Sequence, residues 1–395
     1  MAKKGSYIDY SAKAVFEPQQ IFSGSGAAME LPSDLKAKGA RRILIICSRS
    51  VLRYRSYESL IKKFEAEGIR TFVFEKEDSL LKQSEAEACG KMFKEYNCDT
   101  MITVGGTCSI DCGKMALALC GSNSPKSALE LAGDGKVRPG KGRLCCIVTD
   151  AGASAATPFA EFIAEPSGKW TMVRSSLIVP SMVVIDTDFS MRTDHNVATD
   201  SALTAFCEAI EAYISPVSSY SPLYRADAVN ACVTLYSNLP SVKMNQEDPY
   251  LRYKLTAGGL CAGLSLRMTG IGYSHLAVHA MIERYGDIHG ALYLRILRCL
   301  LEAEVELLEK DLAALARYLN ICTKNADDKS AAQTFIDALD MMCKKYSENI
   351  DVPAMTQKEA LEISDDVKKA AGVYDLYRLD SRAFADMLMT AIGNV

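Results

Sequence analysis

Three of the four histidines in the chain lie within fifteen positions of one another, and their spacing suits metal binding. His275 and His279 are four residues apart, so a helix places them on one face, one turn from each other. His289 follows ten residues later, beyond Gly286, which interrupts the helical pattern and allows a turn to bring His289 back beside the other two. Neutral imidazoles held together in this way bind divalent metal ions. The alternative is that all three are hydrogen-bonded histidines of a helical core.

A second candidate site is a predicted strand that runs into two glycines, Gly105 and Gly106, with a helix predicted to begin directly after them. Adjacent glycines let backbone N–H groups approach an anion, and the N-terminus of the helix adds the positive end of its dipole. The segment therefore has the form of a phosphate cradle. On its own it is weak support for function, because many turns in α/β proteins share this form and bind nothing.

Hydrophobic periodicity predicts the elements that position these residues. Short apolar runs alternate with amphipathic stretches through the first half of the chain, which predicts parallel βαβ units and a doubly wound sheet. Strands are predicted at 42–47, 71–74, 99–104, 143–149 and 180–186, and a glycine-rich turn at 21–26. Residues 159–163 and 171–173 flank a further predicted turn at 167–168. From about Asn196 onward the pattern is helical. The prediction is an α/β domain over residues 1–190 and an all-helical domain over residues 191–395.

Composition limits the classes of partner. The formal net charge is −4, and charges of both signs are scattered without a basic block, so nucleic acid is not an expected partner. The sequence has no apolar run of about eighteen residues and no apolar segment after its first lysines, so we expect a cytoplasmic protein without a membrane partner. Fourteen cysteines without a single Cys-x-x-Cys pair indicate buried, reduced thiols rather than a disulfide framework.

Taken together, these segments resemble the iron-dependent (group III) alcohol dehydrogenases along nearly the whole chain. The matching segments are 105–111 (a pyrophosphate turn), 151–152 and 157–160 (a cofactor loop), 180–186 (the strand into the hinge), 209–215 (the metal helix) and the histidines at 275, 279 and 289. The resemblance implies an α/β N-terminal dinucleotide-binding domain plus an all-α C-terminal domain, the architecture that the family shares with dehydroquinate synthases. It also implies a cleft between the two domains that holds both ligands.

The resemblance also implies a set of metal ligands. In the family an Asp and a His, four residues apart, precede the Ala-Ile-Glu-Ala-Tyr segment, and Thr204 and Glu208 occupy those positions here. The implied site is therefore Glu208, His275 and His289, a set suited to iron or zinc and similar to the Glu-His-His zinc site of dehydroquinate synthases. The alternatives are that Glu208 is a solvated helix residue, or that Asp200, one turn earlier, is a substitute ligand.

The cofactor-binding residues implied by the resemblance are Ser48, Arg49, Gly105, Gly106, Thr107, Cys108, Thr149 and Asp150. Asp150 stands where the family has a threonine, and a carboxylate beside a pyrophosphate is unfavourable unless a cation or a proton offsets it. Ser48 and Arg49 stand where members that use NAD carry an acid for the ribose 2′-hydroxyl, which favours NADP over NAD. The alternative is that the arginines here are surface residues paired with neighbours such as Glu58.

The implied function is that of a metal-assisted, NAD(P)-dependent alcohol dehydrogenase or aldehyde reductase with a small-molecule substrate, expected as a homodimer. His279 is expected to face the substrate and help to pass a proton, and Asp111 to hold the cradle or the substrate side of the cleft. The metal ion would act as a Lewis acid on the reacting oxygen. The alternatives are a non-redox or metal-independent member, such as a dehydroquinate-synthase-like cyclase, and a catalytically silent homologue that serves as a binding or assembly subunit.

Overall fold

The computed structural model describes residues 19–77, 80–122, 125–218, 221–245, 247–285, 289–347, 352, 354–371 and 379–393. The turn predicted around Gly286 and the side chain of His289 lie outside the described residues.

The described strands are β1 (Gln20–Ser23), β2 (Arg42–Ser48), β3 (Arg70–Lys76), β4 (Thr100–Gly105), β5 (Gly133–Asp134), β6 (Arg143–Val148), β7 (Phe159–Ile163), β8 (Trp170–Arg174) and β9 (Met182–Ile185). Six of them form a parallel sheet in the order β1-β9-β6-β4-β2-β3, and the other three form a small sheet in the order β5-β8-β7. The prediction of a doubly wound parallel sheet is therefore confirmed.

The prediction of a turn over 21–26 is wrong for its first part. Residues Gln20–Ser23 form β1, which pairs in parallel register with β9 at the edge of the large sheet. The strand is only four residues long, so the period-two pattern that would have revealed it is too short to recognise. The turn itself is confined to the residues around Gly24 and Gly26, both of which have positive φ.

The described helices are α1 (Leu31–Ala37), α2 (Arg55–Ala66), α3 (Gln83–Glu95), α4 (Thr107–Leu119), α5 (Thr187–Ser190), α6 (His195–Ile214), α7 (Pro222–Asn238), α8 (Pro249–Thr269), α9 (Tyr273–Tyr285), α10 (His289–Ala303), α11 (Val305–Tyr318), α12 (Asp328–Tyr346), α13 (Gln357–Ala371) and α14 (Ser381–Ala391). Strand β2 shows how helices cover both faces of the large sheet. Its residues Ile43 and Ile45 pack in the core that contains α1 and α2, and Leu44 and Ile46 in the core that contains α3 and α4.

After β9 ends at Ile185, every described element is helical. A single hydrophobic core joins most of the later helices, and α6 contributes the most deeply buried stretch to it. The α/β half followed by a helical half confirms the predicted fold class, whereas the domain boundary at residues 190 and 191 stays a prediction. None of the described helices combines the length and apolar character needed to cross a bilayer.

Candidate functional site

Helix α9 presents two buried histidines on one face. The imidazole rings of His275 and His279 stack with their centroids 4.5 Å apart, as residues separated by one helical turn can do. Trp170, on β8, stacks on His279 at 4.3 Å, and Tyr293, on α10, lies 4.8 Å from His275. The two imidazoles are thus held between aromatic side chains from both halves of the chain.

A carboxylate that the sequence reasoning missed lies beside these histidines. Oε2 of Glu161, on β7, is 3.2 Å from Nε2 of His279. One donor atom from each of Glu161, His275 and His279 lies within 4.8 Å of the other two, and the described residues offer no other group of this kind. Glu161 is a charged residue in the otherwise apolar strand Phe159–Ile163, and that contrast is the signal that could have identified it.

Glu208, on α6, also lies next to His275. Its Oε1 atom is 3.5 Å from Nδ1 of His275, its side chain is only 8% exposed, and its Oε2 atom accepts no hydrogen bond from any described residue. Burial, reinforced by the charge of Glu211, raises the pKa of Glu208 to about 8. An isolated carboxylate with this pKa is mostly protonated at neutral pH, whereas a nearby cation would keep it ionised. Glu208 is therefore not a solvated helix residue.

The other two candidates on α6 have structural partners. The Thr204 hydroxyl donates to the Asp200 backbone carbonyl at 3.0 Å, and Oδ1 of Asp200 accepts from Gly290 N at 2.9 Å. Asp200 therefore fastens the first turn of α10 to α6. This contact fixes the backbone directly after His289 and gives Asp200 a structural function.

Asp111 and Lys114 form a buried pair beneath β7. Lys114 Nζ lies 3.8 Å from Asp111 Oδ1 and donates to Ser154 Oγ at 3.0 Å, Thr157 Oγ1 at 2.9 Å and the Phe159 carbonyl at 2.7 Å. Burial raises the pKa of Asp111 and lowers that of Lys114, each offset in part by the charge of the other. One lysine thus holds the loop of 150–158 against α4.

Asp111 also connects this pair to the histidine cluster. Its Oδ2 atom accepts from the backbone N–H of Glu161 at 3.0 Å, and Ser154 Oγ donates to its Oδ1 atom. Asp111 therefore holds the strand of Glu161 in place, whereas its expected role on the substrate side of a cleft stays a prediction. It acts as a positioning residue there, and its own carboxylate is buried.

The glycine turn has the tight packing expected of a phosphate cradle. A Cβ atom at Gly105 would lie 2.5 Å from Ser109 Oγ, and one at Gly106 would lie 2.0 Å from Asp150 Oδ2. Helix α4 begins at Thr107, so the backbone N–H groups of Thr107 and Cys108 lie in its first turn, at the positive end of the helix dipole. A glycine turn that leads into a helix N-terminus is an arrangement that commonly binds phosphate groups.

Asp150 introduces a negative charge at this cradle. Its carboxylate lies over Gly106, and its Oδ1 atom accepts from Gly152 N at 2.8 Å. Burial raises the pKa of Asp150 to about 6 despite these stabilising backbone hydrogen bonds. The neighbouring Thr149 donates its backbone N–H to the Gly105 carbonyl at 3.3 Å, which holds the two segments together. A phosphate bound here would favour the protonated form of Asp150.

Ser48 and Arg49 lie at the carboxyl end of β2, on the same edge of the sheet as the cradle. The Arg49 side chain is 77% exposed, and its Nε atom is 3.8 Å from Glu75 Oε1. Glu58, the neighbour weighed as an alternative partner, pairs with Lys62 at 2.6 Å instead. Arg49 can therefore reach a nucleotide phosphate only in competition with Glu75.

Helix α8 supports the loop of 150–158 through two glycines on one of its faces. A Cβ atom at Gly259 would lie 1.6 Å from the Ala151 carbonyl oxygen, and one at Gly263 would lie 2.0 Å from that of Ala153. No side chain fits at either position, so the helix backbone contacts the loop backbone directly. The helical half of the chain thereby fixes the position of this loop relative to the glycine turn.

Comparisons with known proteins agree with this architecture. The family model "Iron-containing alcohol dehydrogenase" matches residues 18–187, and "Fe-containing alcohol dehydrogenase family, C-terminal" matches residues 198–369. The NAD-dependent methanol dehydrogenase of Bacillus methanolicus is 24% identical over 340 residues, which cover 86% of this chain and 87% of that protein.

Two solved structures show the same fold at low identity. The structure of a 1,3-propanediol oxidoreductase has a TM-score of 0.84 at 18% identity and covers 95% of this chain and 98% of its own. The sulfoacetaldehyde reductase of Bifidobacterium kashiwanohense, in complex with NAD+, has a TM-score of 0.81 at 18% identity, with 96% and 98% covered. The two family models together extend over both halves of the chain, from the cradle to the histidines of α9. The chain therefore belongs to the iron-containing alcohol dehydrogenase family, whose members are oxidoreductases that act on alcohols.

Proposed function

We propose that this chain interconverts a small alcohol and its aldehyde by hydride transfer with a nicotinamide dinucleotide, and that a divalent metal ion binds at His275. The observation that carries the proposal is the connection made by α4. Its N-terminus forms the cradle, and Asp111, in its second turn, holds the strand of Glu161 beside the histidines. Helix α4 thus links the proposed nucleotide cradle to the strand that carries Glu161, beside the histidines.

The donor set around His275 fits a divalent ion, because it combines imidazoles with carboxylates in a buried site. The resemblance assigns Glu208 and His289 as the other ligands, and iron or zinc would suit them. Such an ion, when bound, polarises the oxygen of the alcohol or aldehyde. His279 cannot accept a proton and bind a metal ion through the same nitrogen atom. It can therefore transfer a proton through that nitrogen only if the nitrogen is not bound to the metal ion.

The dinucleotide would place its pyrophosphate at Gly105, Gly106 and the first N–H groups of α4. The methanol dehydrogenase described above is NAD-dependent, and the sulfoacetaldehyde reductase was solved in complex with NAD+. We propose that the phosphorylated form, NADP, binds more tightly here, because Arg49 can accept a 2′-phosphate once it leaves Glu75. Ser48, beside it, is in hydrogen-bond distance of Ser50 and adds a second donor.

The proposal extends to assembly and location: a homodimer in the cytoplasm, as the resemblance implies. Light scattering coupled to size-exclusion chromatography would measure the oligomeric state directly.

The test is an assay of purified protein loaded with Fe²⁺ or Zn²⁺ without oxygen, mixed with NAD+ or NADP+ and a panel of short alcohols. Reduced nicotinamide should appear by absorbance, and the reverse reaction should consume it with aldehydes. His275→Ala should abolish turnover, whereas His195→Ala should retain it, because His195 lies at the start of α6, beside Asp194 and apart from the cluster. No turnover in either direction, with metal and nucleotide both bound, would favour a binding or assembly subunit.

A further inference from the structure

Two candidate ligand sets share His275, and they use different parts of the chain. The set implied by the family resemblance lies within the helical half. The second set combines His275 and His279 of α9 with Glu161 of β7, a strand of the α/β half. The two sets predict that different substitutions cause the loss of the metal ion, so the metal content of variants can distinguish them.

The geometry favours the second set. Two histidines four residues apart on a helix, completed by a carboxylate from another element, form a common arrangement for zinc, and two histidines with one carboxylate also hold ferrous iron. The three donor atoms already lie within 4.8 Å of one another. Two ligands of one tetrahedral ion, each at about 2.1 Å, lie about 3.4 Å apart, so binding an ion requires the three donor atoms to move towards one another by about 1 Å.

The charges of the cluster also favour a cation. Asp111, Glu161 and Glu208 are three buried or partly buried carboxylates, and Lys114 is the ammonium group that lies among them. The Glu208 side chain is only 8% exposed, and its Oε2 atom accepts no hydrogen bond from a described residue. A divalent ion would supply the missing positive charge.

We propose that this chain binds its divalent metal ion, Fe²⁺ or Zn²⁺, through Glu161, His275 and His279, so that the α/β half contributes a ligand. This inference rests on the proposed function for the presence of a metal ion, and it changes the ligands. Glu208 then hydrogen-bonds Nδ1 of His275 and orients that imidazole, as carboxylates beside metal-bound histidines commonly do. His279 is a ligand and takes no part in proton transfer.

In this ligand set, Asp111 positions the ligand Glu161. By holding the backbone N–H of Glu161 it fixes the position of the carboxylate relative to α9. The metal ion would therefore join β7 to α9, and its binding would be coupled to contact between the two halves of the chain.

The experiment measures metal binding, not activity. Chelator-treated full-length protein is reconstituted with Zn²⁺, or anaerobically with Fe²⁺, desalted and analysed by elemental mass spectrometry, and Co²⁺ is used as a spectroscopic substitute. Wild type and His195→Ala should retain one equivalent. Glu161→Gln and His279→Asn should lose the ion and the visible absorption of Co²⁺, and Glu161→Asp should retain it with lower affinity. Glu208→Gln should weaken affinity by about 10–100-fold, the range for residues that orient a ligand.

Full stoichiometry and affinity in Glu161→Gln, with loss in Glu208→Gln, would overturn the proposal in favour of the set Glu208, His275 and His289. A wild-type protein that binds none of the three ions would overturn it too. Circular dichroism identifies a variant that fails to fold, and the Glu161→Asp variant then decides, because it must lose affinity if Glu161 is a ligand. Metal loss in Glu161→Gln without alcohol turnover in wild type would leave this inference standing and remove the proposed reaction.

Discussion

The backbone N–H of Glu161 donates a hydrogen bond of 3.0 Å to Oδ2 of Asp111, which joins the strand beside the histidines to the helix that begins at the glycine cradle. Asp111 is at the same time the buried partner of Lys114. The Asp111 carboxylate therefore has two functions: it stabilises the buried charge of Lys114, and it holds Glu161 in place beside the histidines.

Asp111→Ala should destabilise the protein strongly. It removes both acceptor oxygens and leaves the Lys114 ammonium buried without its carboxylate, which costs about 3–5 kcal/mol in the free energy of unfolding. Urea unfolding measures the change. Glu58→Ala, which breaks an exposed pair with Lys62, is the matched control and should leave the midpoint nearly unchanged. Equal effects of the two variants would show that the buried pair contributes no more to the free energy of unfolding than the exposed pair does.

Asp150→Thr should strengthen dinucleotide binding, because it removes the carboxylate that lies over Gly106. In the wild-type protein the pKa of Asp150 is raised to about 6, so the group is neutral below this pH and charged above it. Affinity should therefore fall as the pH rises above about 6, by up to tenfold per unit, since the bound phosphate must keep Asp150 protonated. Calorimetric titrations of both proteins across this range provide the measurement.

The Asp150→Thr variant should show little of this dependence. Asp134→Asn, which changes an exposed aspartate on β5, controls for the altered net charge. A wild-type affinity that is flat across the range would mean that Asp150 moves away from the bound nucleotide.

Arg49→Ala should remove most of the preference for NADPH over NADH, since Arg49 is the proposed ligand of the 2′-phosphate. Glu75→Gln should increase the preference, because it frees Arg49 from its present partner at 3.8 Å. The ratio of the two dissociation constants, from calorimetry, is the quantity to compare. Equal affinities for the two nucleotides in wild type would show that Arg49 remains with Glu75.

Gly259→Ala should displace the loop of 150–158, because the added Cβ would lie 1.6 Å from the Ala151 carbonyl oxygen. Overpacking of this kind costs about 1–3 kcal/mol in the free energy of unfolding, and the moved loop should also weaken nucleotide binding. Unfolding and binding measurements on one preparation separate the two effects. Unchanged nucleotide affinity would show that the cradle is independent of α8.

The sequence predicted the parts of the fold that depend on local patterns. The alternation of apolar residues in β2 revealed a strand covered on both faces, and the spacing of His275 and His279 placed them on one helix face. The charge of Glu161 within an apolar strand could have marked this residue, but no local pattern places it beside the histidines. It reaches them through the pairing of β7 with β8 and the packing of β8 on α9. Likewise, the exposure of Arg49 beside Glu75 depends on the neighbouring strand β3.

Trp170 is the only tryptophan in the chain, and its ring stacks on His279 at 4.3 Å. The indole emission of this protein therefore originates entirely from its candidate metal site, with no background from a second tryptophan. Binding of a metal ion at His279 would change the charge of the ring that stacks on the indole, so we expect the emission intensity to change with the occupancy of the site. Separation of β8 from α9 would expose the indole to water and move the emission to longer wavelength. The molecule thus carries its own optical reporter at the junction of its two halves.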